Sequence, residues 1–256
     1  MKFSDDGGTQ LFGKLREAGA VENRVAVYWD PADPTTIQQQ DFLDRMMPAA
    51  DAGGVHIVFS VYPRGAQTFT TDTDMRIGQF AAYLKLLAAR YPQVRTYEVL
   101  NEPNEAYFFA PQHGPNGEIL SAPIALRVLA AAYDSLKSAD PSITVAGLGL
   151  SPAANDKTST SPVRFLNALG AAYRLSGRKT PIMDELDVQI YPDNAARQDE
   201  NTHYAAGRHP PGAALGVPRG RERRGHRRGA AGAHLPRRSS AGSAAIRPSP
   251  RSTSST

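Results

Sequence analysis

The sequence predicts a parallel α/β fold: an eight-stranded (β/α) barrel carried to about six strands and followed by a disordered, arginine-rich tail. Three observations lead there. Short runs rich in Val, Ile, Tyr and Phe alternate along the chain with longer amphipathic stretches, the pattern of right-handed βα crossovers and a parallel sheet. The length of 256 residues suits one barrel. The conspicuous side chains, Trp29-Asp30, Tyr62-Pro63, Asn101-Glu102-Pro103, Ser151-Pro152 and Tyr191-Pro192, fall just after the strand-like runs, on the rim where barrels build their sites. No Gly-rich phosphate loop follows the first runs, which argues against an open nucleotide-binding sheet.

The strand candidates are residues 24–29, 55–62, 95–100, 143–150 and 186–191, each bounded by Gly, Pro, Asp or Asn, with a stub at 2–4 that ends an earlier strand. Between them, 9–18 carries Leu11, Leu15 and Ala18 on one helical face. Residues 37–52 place Leu43, Met46, Met47 and Ala50 at i, i+3, i+4, i+7. Thr36 and Gln39 read as the capping box of this helix, and Pro48 is expected to kink its last turns. Residues 73–91 carry the clearest stripe, Ile77, Phe80, Ala81, Leu84, Leu87 and Ala88, stopped by Pro92. A helix over 123–139 follows the same rule, and Ser161-Pro162 reads as the N-cap and first residue of one reaching Leu175.

The chain lacks cysteine, so it has no disulfide framework and no thiolate metal site, and its six histidines show no metal-ligand spacing. Neither a metal nor a cofactor is expected. Residues 1–8 are polar and carry two aspartates, unlike a signal peptide, and no apolar run is long enough to span a membrane. The net charge is split. Residues 207–256 hold eleven arginines, one acid and no aromatic ring, a net +10; the preceding residues hold eighteen basic and twenty-four acidic side chains, a net −6.

The run Thr96-Tyr97-Glu98-Val99-Leu100-Asn101-Glu102-Pro103-Asn104-Glu105 carries the chemistry. It resembles the fourth strand of clan A glycoside hydrolases (aromatic, Glu, Val, Trp, Asn, Glu, Pro, Asn), with Leu100 in place of Trp. The wider resemblance is to the cellulase-like and β-xylosidase-like families 5 and 39, over roughly residues 1–192. It implies a retaining, metal-free enzyme acting on a β-linked sugar polymer or oligosaccharide, in a group whose members are often secreted. Glycosidic cleavage needs two carboxyl groups flanking the bond, one of them protonated near neutral pH. The resemblance makes Glu102 that acid/base and Asn101 the partner of the sugar 2-hydroxyl. Pro103 is expected to stop the ladder. Glu98, which shares strand parity with Glu102, reads as a buried structural carboxylate, and Glu105 as a solvated loop acid.

Four further positions are substrate-site candidates or have plainer readings. Arg24 matches an arginine that relatives aim toward the nucleophile, or is a surface charge at a strand start. Trp29, the single tryptophan, stacks on a sugar or fills the core. Tyr191 fits a sixth-strand His-x-Tyr pattern in which Gln189 replaces the histidine. Tyr107, Phe108 and Phe109 line a subsite or pack the loop; His56 opens a strand at the far end and reads as structural.

The second carboxylate of the resembled enzymes ends a seventh strand. Residues 193–206 read as a loop, and the 207–256 tail offers only Glu222, set among arginines with no strand-like run before it. Such a lysine-free, aromatic-free tail is what a GC-rich gene yields out of frame, so a frameshift between about Tyr204 and Pro211 is expected, and 2–4 reads as a clipped first strand. The expected partner is carbohydrate. A non-catalytic sugar-binding remnant is the second reading. Nucleic-acid association through the tail is third, since interleaved aromatic residues are missing from it.

Overall fold

The computed structural model describes residues 6–152, 155 and 157–189. Five strands and five long helices alternate along them: α1 (Thr9–Glu17), β1 (Glu22–Trp29), α2 (Gln40–Gly53), β2 (His56–Pro63), α3 (Thr73–Arg90), β3 (Thr96–Val99), α4 (Ser121–Ala139), β4 (Thr144–Leu150), α5 (Pro162–Leu175) and β5 (Glu185–Val188). The strands pair in chain order, β1-β2-β3-β4-β5, and every pairing is parallel. This is the partial (β/α) barrel that the alternation predicts. The strand stub at 2–4, the end of the run 186–191, the loop 193–206 and the tail lie outside the described residues.

Strand alternation sorts the side chains. Val25, Val27 and Trp29 of β1, Phe59 and Val61 of β2, and Tyr97 and Val99 of β3 are buried on the helix side. There they join Leu43, Met46 and Met47 of α2, Ile77, Phe80 and Leu84 of α3, and Leu126 and Leu129 of α4 in one cluster. Trp29 stacks on Phe69 at 6.1 Å and lies 5.3 Å from Phe80, while Phe59 meets Tyr91 and Tyr97 edge-on. Residues of the other parity, Arg24, Ala26, Tyr28, Ser60, Tyr62 and Glu98, face the barrel interior.

Helix ends follow local chemistry, with one correction. Ser161 caps α5 by accepting a bond from Arg164 N, with Pro162 at the first helical position. Gly54 ends α2 in the left-handed region, φ 64°. The expected capping box at Thr36 and Gln39 does not form: Gln39 makes no side-chain bond to α2, and Thr36 donates to Asp33. The Gln39 amide instead accepts from Tyr28 N at 2.8 Å and donates to Ala26 O at 3.0 Å. Those backbone groups face away from β2, whose bonds go to the odd residues such as Val21 and Trp29. Gln39 therefore replaces one rung of a ladder on the outer edge of β1. Pro48 lies inside α2, which continues to Gly53.

Candidate active site

The interior face is polar and closely bonded. From β1, Arg24 donates through Nη2 to Glu98 Oε1 at 2.6 Å and to Asn101 Oδ1 at 2.7 Å, and through Nε to the second Glu98 oxygen. Ser60 of β2 donates to Glu98 Oε1 at 3.0 Å. Glu98 is buried and carries a two-point arginine pair, so its carboxyl is held in place as part of the structure. Asp187 of β5 hydrogen-bonds to it, and a bond between two carboxyls requires one to keep its proton. That one is Asp187, whose pKa is pushed up to about 7 by burial and then by the Glu98 charge. The pair fits because position 149 is glycine: a Cβ there would lie 2.5 Å from Glu98 Oε1 and 3.5 Å from Asp187 Oδ2.

This network orients Asn101. Its Oδ1 accepts from Arg24 and also from Gln189 Nε2 at 2.8 Å. Two donors on one oxygen fix the flip of the amide and leave its nitrogen as the atom offered to a ligand. Glu102 follows on a turn rather than on the strand. β3 ends at Val99, and the backbone turns left-handed at Leu100 (φ 71°) and Glu102 (φ 45°). The parity assigned to Glu98 and Glu102 is therefore broken, and the ladder stops before Pro103. Glu102 N donates to both Leu148 O and Gly149 O at 3.1 Å. Three of the four non-glycine residues with positive φ among the described residues, Leu100, Glu102 and Leu148, converge here. Strain of this kind persists only where surroundings over-determine it. Asn104 supplies that support, accepting from Ser151 N at 3.0 Å and donating to Ser151 O and Thr160 O at 2.9 and 3.0 Å.

The Glu102 carboxyl is half-buried. Burial raises its pKa most, the nearby Glu105 charge raises it further, Arg24 opposes, and Glu98 adds to the rise. Glu105 is itself half-buried with a pKa raised by burial, against a hydrogen bond from Ser151. It is not the solvated loop acid expected, because the backbone bridge between Glu105 and Ser159 draws it against the following loop.

Beside this cluster lies a cavity of about 370 Å³ lined by Tyr28, Tyr62, Arg64, Tyr107 and Phe108, among others. Tyr62 meets Tyr28 edge-on at 5.1 Å and Phe108 at 5.9 Å. Burial and its hydrogen bond to Tyr28 raise the Tyr62 pKa, and it also feels Arg24 and Glu98.

Arg24, Asn101 and Glu102 thus gather at one place, and Arg24 is an ion-paired interior residue rather than a surface charge. Trp29 does not join them: it is fully buried on the helix side, its indole N–H on Pro34 O. Arg24 and Trp29 are five residues apart, an odd spacing that puts them on opposite faces of a strand. The same rule marks Tyr28 as the aromatic residue on Arg24's face. Asp187 and Gln189 carry the parity signal on the last run. Tyr191 lies outside the described residues. Phe109 is buried against Phe69, whereas Tyr107 is exposed. Among the described residues no group of three His, Cys, Asp or Glu could hold a metal, and no helix is long and apolar enough to cross a membrane.

No sequence-family model and no curated protein matches the chain. Solved structures do. A glucosidase from Croceicoccus marinus superposes with a TM-score of 0.51 at 15% identity, over 75% of this chain and 45% of that one. An endoglucanase from the hyperthermophile Thermotoga maritima gives 0.45 at 20% identity, over 72% and 52%. A family 39 glycoside hydrolase from the gut symbiont Bacteroides cellulosilyticus gives 0.43 at 17%, over 58% and 31%. The chain spans about a third to a half of these proteins. The likeness shows the fold alone, a partial (β/α) barrel.

Proposed function

We propose that the chain is a glycosidase cleaving O-glycosidic bonds of a β-linked polymer or oligosaccharide by the retaining two-carboxylate mechanism, with Glu102 as acid/base. The observation that carries this reading is the state of Glu102: half-buried, with a raised pKa, and one residue from an asparagine whose orientation two donors, Arg24 and Gln189, fix. A glutamate so placed keeps its proton to higher pH than an ordinary glutamate and gives it to the leaving glycosidic oxygen as the bond breaks. Asn101 offers its N–H groups to a sugar hydroxyl, a bond that strengthens as positive charge grows on the ring. Arg24 and Gln189 hold Asn101, and Arg24 also engages both Glu98 oxygens and so keeps that carboxyl out of the reaction. No cofactor enters this scheme.

The second carboxylate is the weak half. A retaining nucleophile sits about 5–5.5 Å from the acid/base and must be ionised. Glu98 is committed to Arg24, Asp187 is protonated up to about pH 7, and residues 193–256 hold no strand-like run ending in an acid. The chain is therefore expected to cleave slowly. Protonation alone gives roughly 10²–10⁴-fold, far below what an unactivated glycoside requires. The commitment of both interior carboxyls equally favours a second reading, a carbohydrate-binding barrel without turnover. Nucleic-acid association through the arginine-rich tail ranks third.

Hydrolysis of a β-linked oligosaccharide and of an aryl β-glycoside by the chain and its Glu102→Gln variant tests the proposal. Slow turnover in which the substitution lowers oligosaccharide cleavage far more than aryl glycoside cleavage supports it. Robust turnover indifferent to Glu102 refutes it. Sugar affinity with no turnover on either substrate selects the binding reading.

A further inference from the structure

The aromatic cavity beside the Arg24–Glu98 network holds a positive charge that no group among the described residues neutralises. Arg64 follows β2 and is exposed, and among the described residues no carboxylate pairs with its guanidinium. Among the described residues no Asp or Glu lines the cavity. The guanidinium is nonetheless positioned: it sits over the Tyr28 ring, 5.5 Å from its centroid. Its backbone is fixed as well. Arg64 N donates to Trp29 O at 2.8 Å, and the Thr68 hydroxyl bonds back to Arg64 O and Gly65 O at 3.0 and 2.7 Å. Opposite stand Tyr107, 84% exposed, and Phe108, which meet edge-on at 4.9 Å. An aromatic ring that exposed contributes little to the core. The volume of about 370 Å³ lies within the usual range of small-ligand pockets.

The geometry points to a sugar ring bearing an anionic substituent, carboxylate or sulfate, as the occupant of this cavity, with Arg64 as the residue that selects it. The inference rests on the carbohydrate reading above and adds the substrate class to it. Tyr28, Tyr62, Tyr107 and Phe108 offer ring faces and edges to the apolar C–H surface of a pyranose. The planar guanidinium offers two parallel N–H groups to the oxygens of an equatorial acid group, which neutral hydroxyls match less well. Tyr28 and Tyr62 share the interior parity of Arg24 and Glu98, and Tyr62 feels the charges of both, so a ring seated here lies beside the Arg24–Glu98 network.

Ligand-observed NMR on the full chain, with methyl β-glucuronide, methyl β-glucoside and the 6-sulfated glucoside, tests the assignment. The expected result is binding of an anionic sugar about tenfold tighter than the neutral one, the span of a single charge-assisted contact. The preference shrinks as salt is added, and whether glucuronide or sulfate binds tighter identifies the substituent. Arg64→Gln brings the anionic sugars down to the neutral level, while Tyr107→Ala weakens all three alike. Arg64 is exposed, so its variant keeps the melting temperature of the parent chain. Equal binding of acidic and neutral sugars overturns the assignment while leaving the carbohydrate reading intact, as does a preference that survives Arg64→Gln. Failure of all three sugars to bind overturns both.

Discussion

The two faces of the sheet are made of the same strands and do opposite work. On the helix side Val25, Val27, Trp29, Phe59, Val61, Tyr97 and Val99 are buried among rings and aliphatic chains. On the interior side Arg24, Ser60, Glu98, Asn101, Asp187 and Gln189 form one hydrogen-bonded and ion-paired network. Moving one residue along β1 crosses from a dry packing face to a charged one. The difference teaches where stability and chemistry reside: burial on one face, group orientation and pKa on the other. Substitutions should separate accordingly.

The largest effect belongs to the packing face. Trp29→Ala removes a fully buried ring in contact with Phe69 and Phe80. It should cost about 3–5 kcal/mol in urea unfolding, and a loss below about 1 kcal/mol would deny that this face carries the fold.

A smaller, pH-dependent effect belongs to the interior face. Asp187 has its pKa raised in the fold to about 7, against about 3.9 in an unfolded chain. Between those values the native state holds a proton that the unfolded state has released, so stability falls as pH rises through this window. Glu102 and Glu105, also raised, act in the same direction. The lowered carboxylates Asp44, Asp134, Asp140 and Asp184 lose their contribution only at still lower pH. The melting temperature should drop from pH 4.5 to pH 7 by standard thermal scans, and Asp187→Asn should make the drop shallower. An unchanged slope would place the shared proton elsewhere.

The smallest effect tests an exception on the packing face. The Tyr97 hydroxyl is buried without a hydrogen-bond partner. Tyr97→Phe should be neutral or stabilise by up to about 1 kcal/mol, because it removes an unsatisfied polar group and leaves the ring. Clear destabilisation in the same urea assay would reveal a partner for that oxygen.

Most of the architecture was legible in the sequence because barrels advertise themselves by alternation. The helical stripe ending at Pro92 and the Ser161-Pro162 start both lie where periodicity and capping chemistry put them. What escaped depended on contacts distant in the chain. Gln39 turned from a helix cap to the β1 edge because two unpaired backbone groups offered it better partners. Glu105 left solvent because a bridge to Ser159, far along the sequence, holds it. Of the site candidates, Arg24, Asn101 and Glu102 converge, whereas Trp29 needed only the parity rule to be set aside. The break in parity between Glu98 and Glu102 comes from Leu100 turning left-handed, a conformation that a leucine does not announce.

The account rests on Glu102 being held as an acid, and that is measurable without any turnover. Carbon-detected NMR of the glutamate side-chain carboxyls, with Glu102 assigned by comparison with Glu102→Gln, gives its titration midpoint directly. The account predicts a midpoint above the ordinary glutamate value of about 4.3, lowered when Glu105→Gln removes the neighbouring charge that helps to raise it. A midpoint at or below the ordinary value, unmoved by Glu105→Gln, would contradict the assignment of Glu102 as the proton donor.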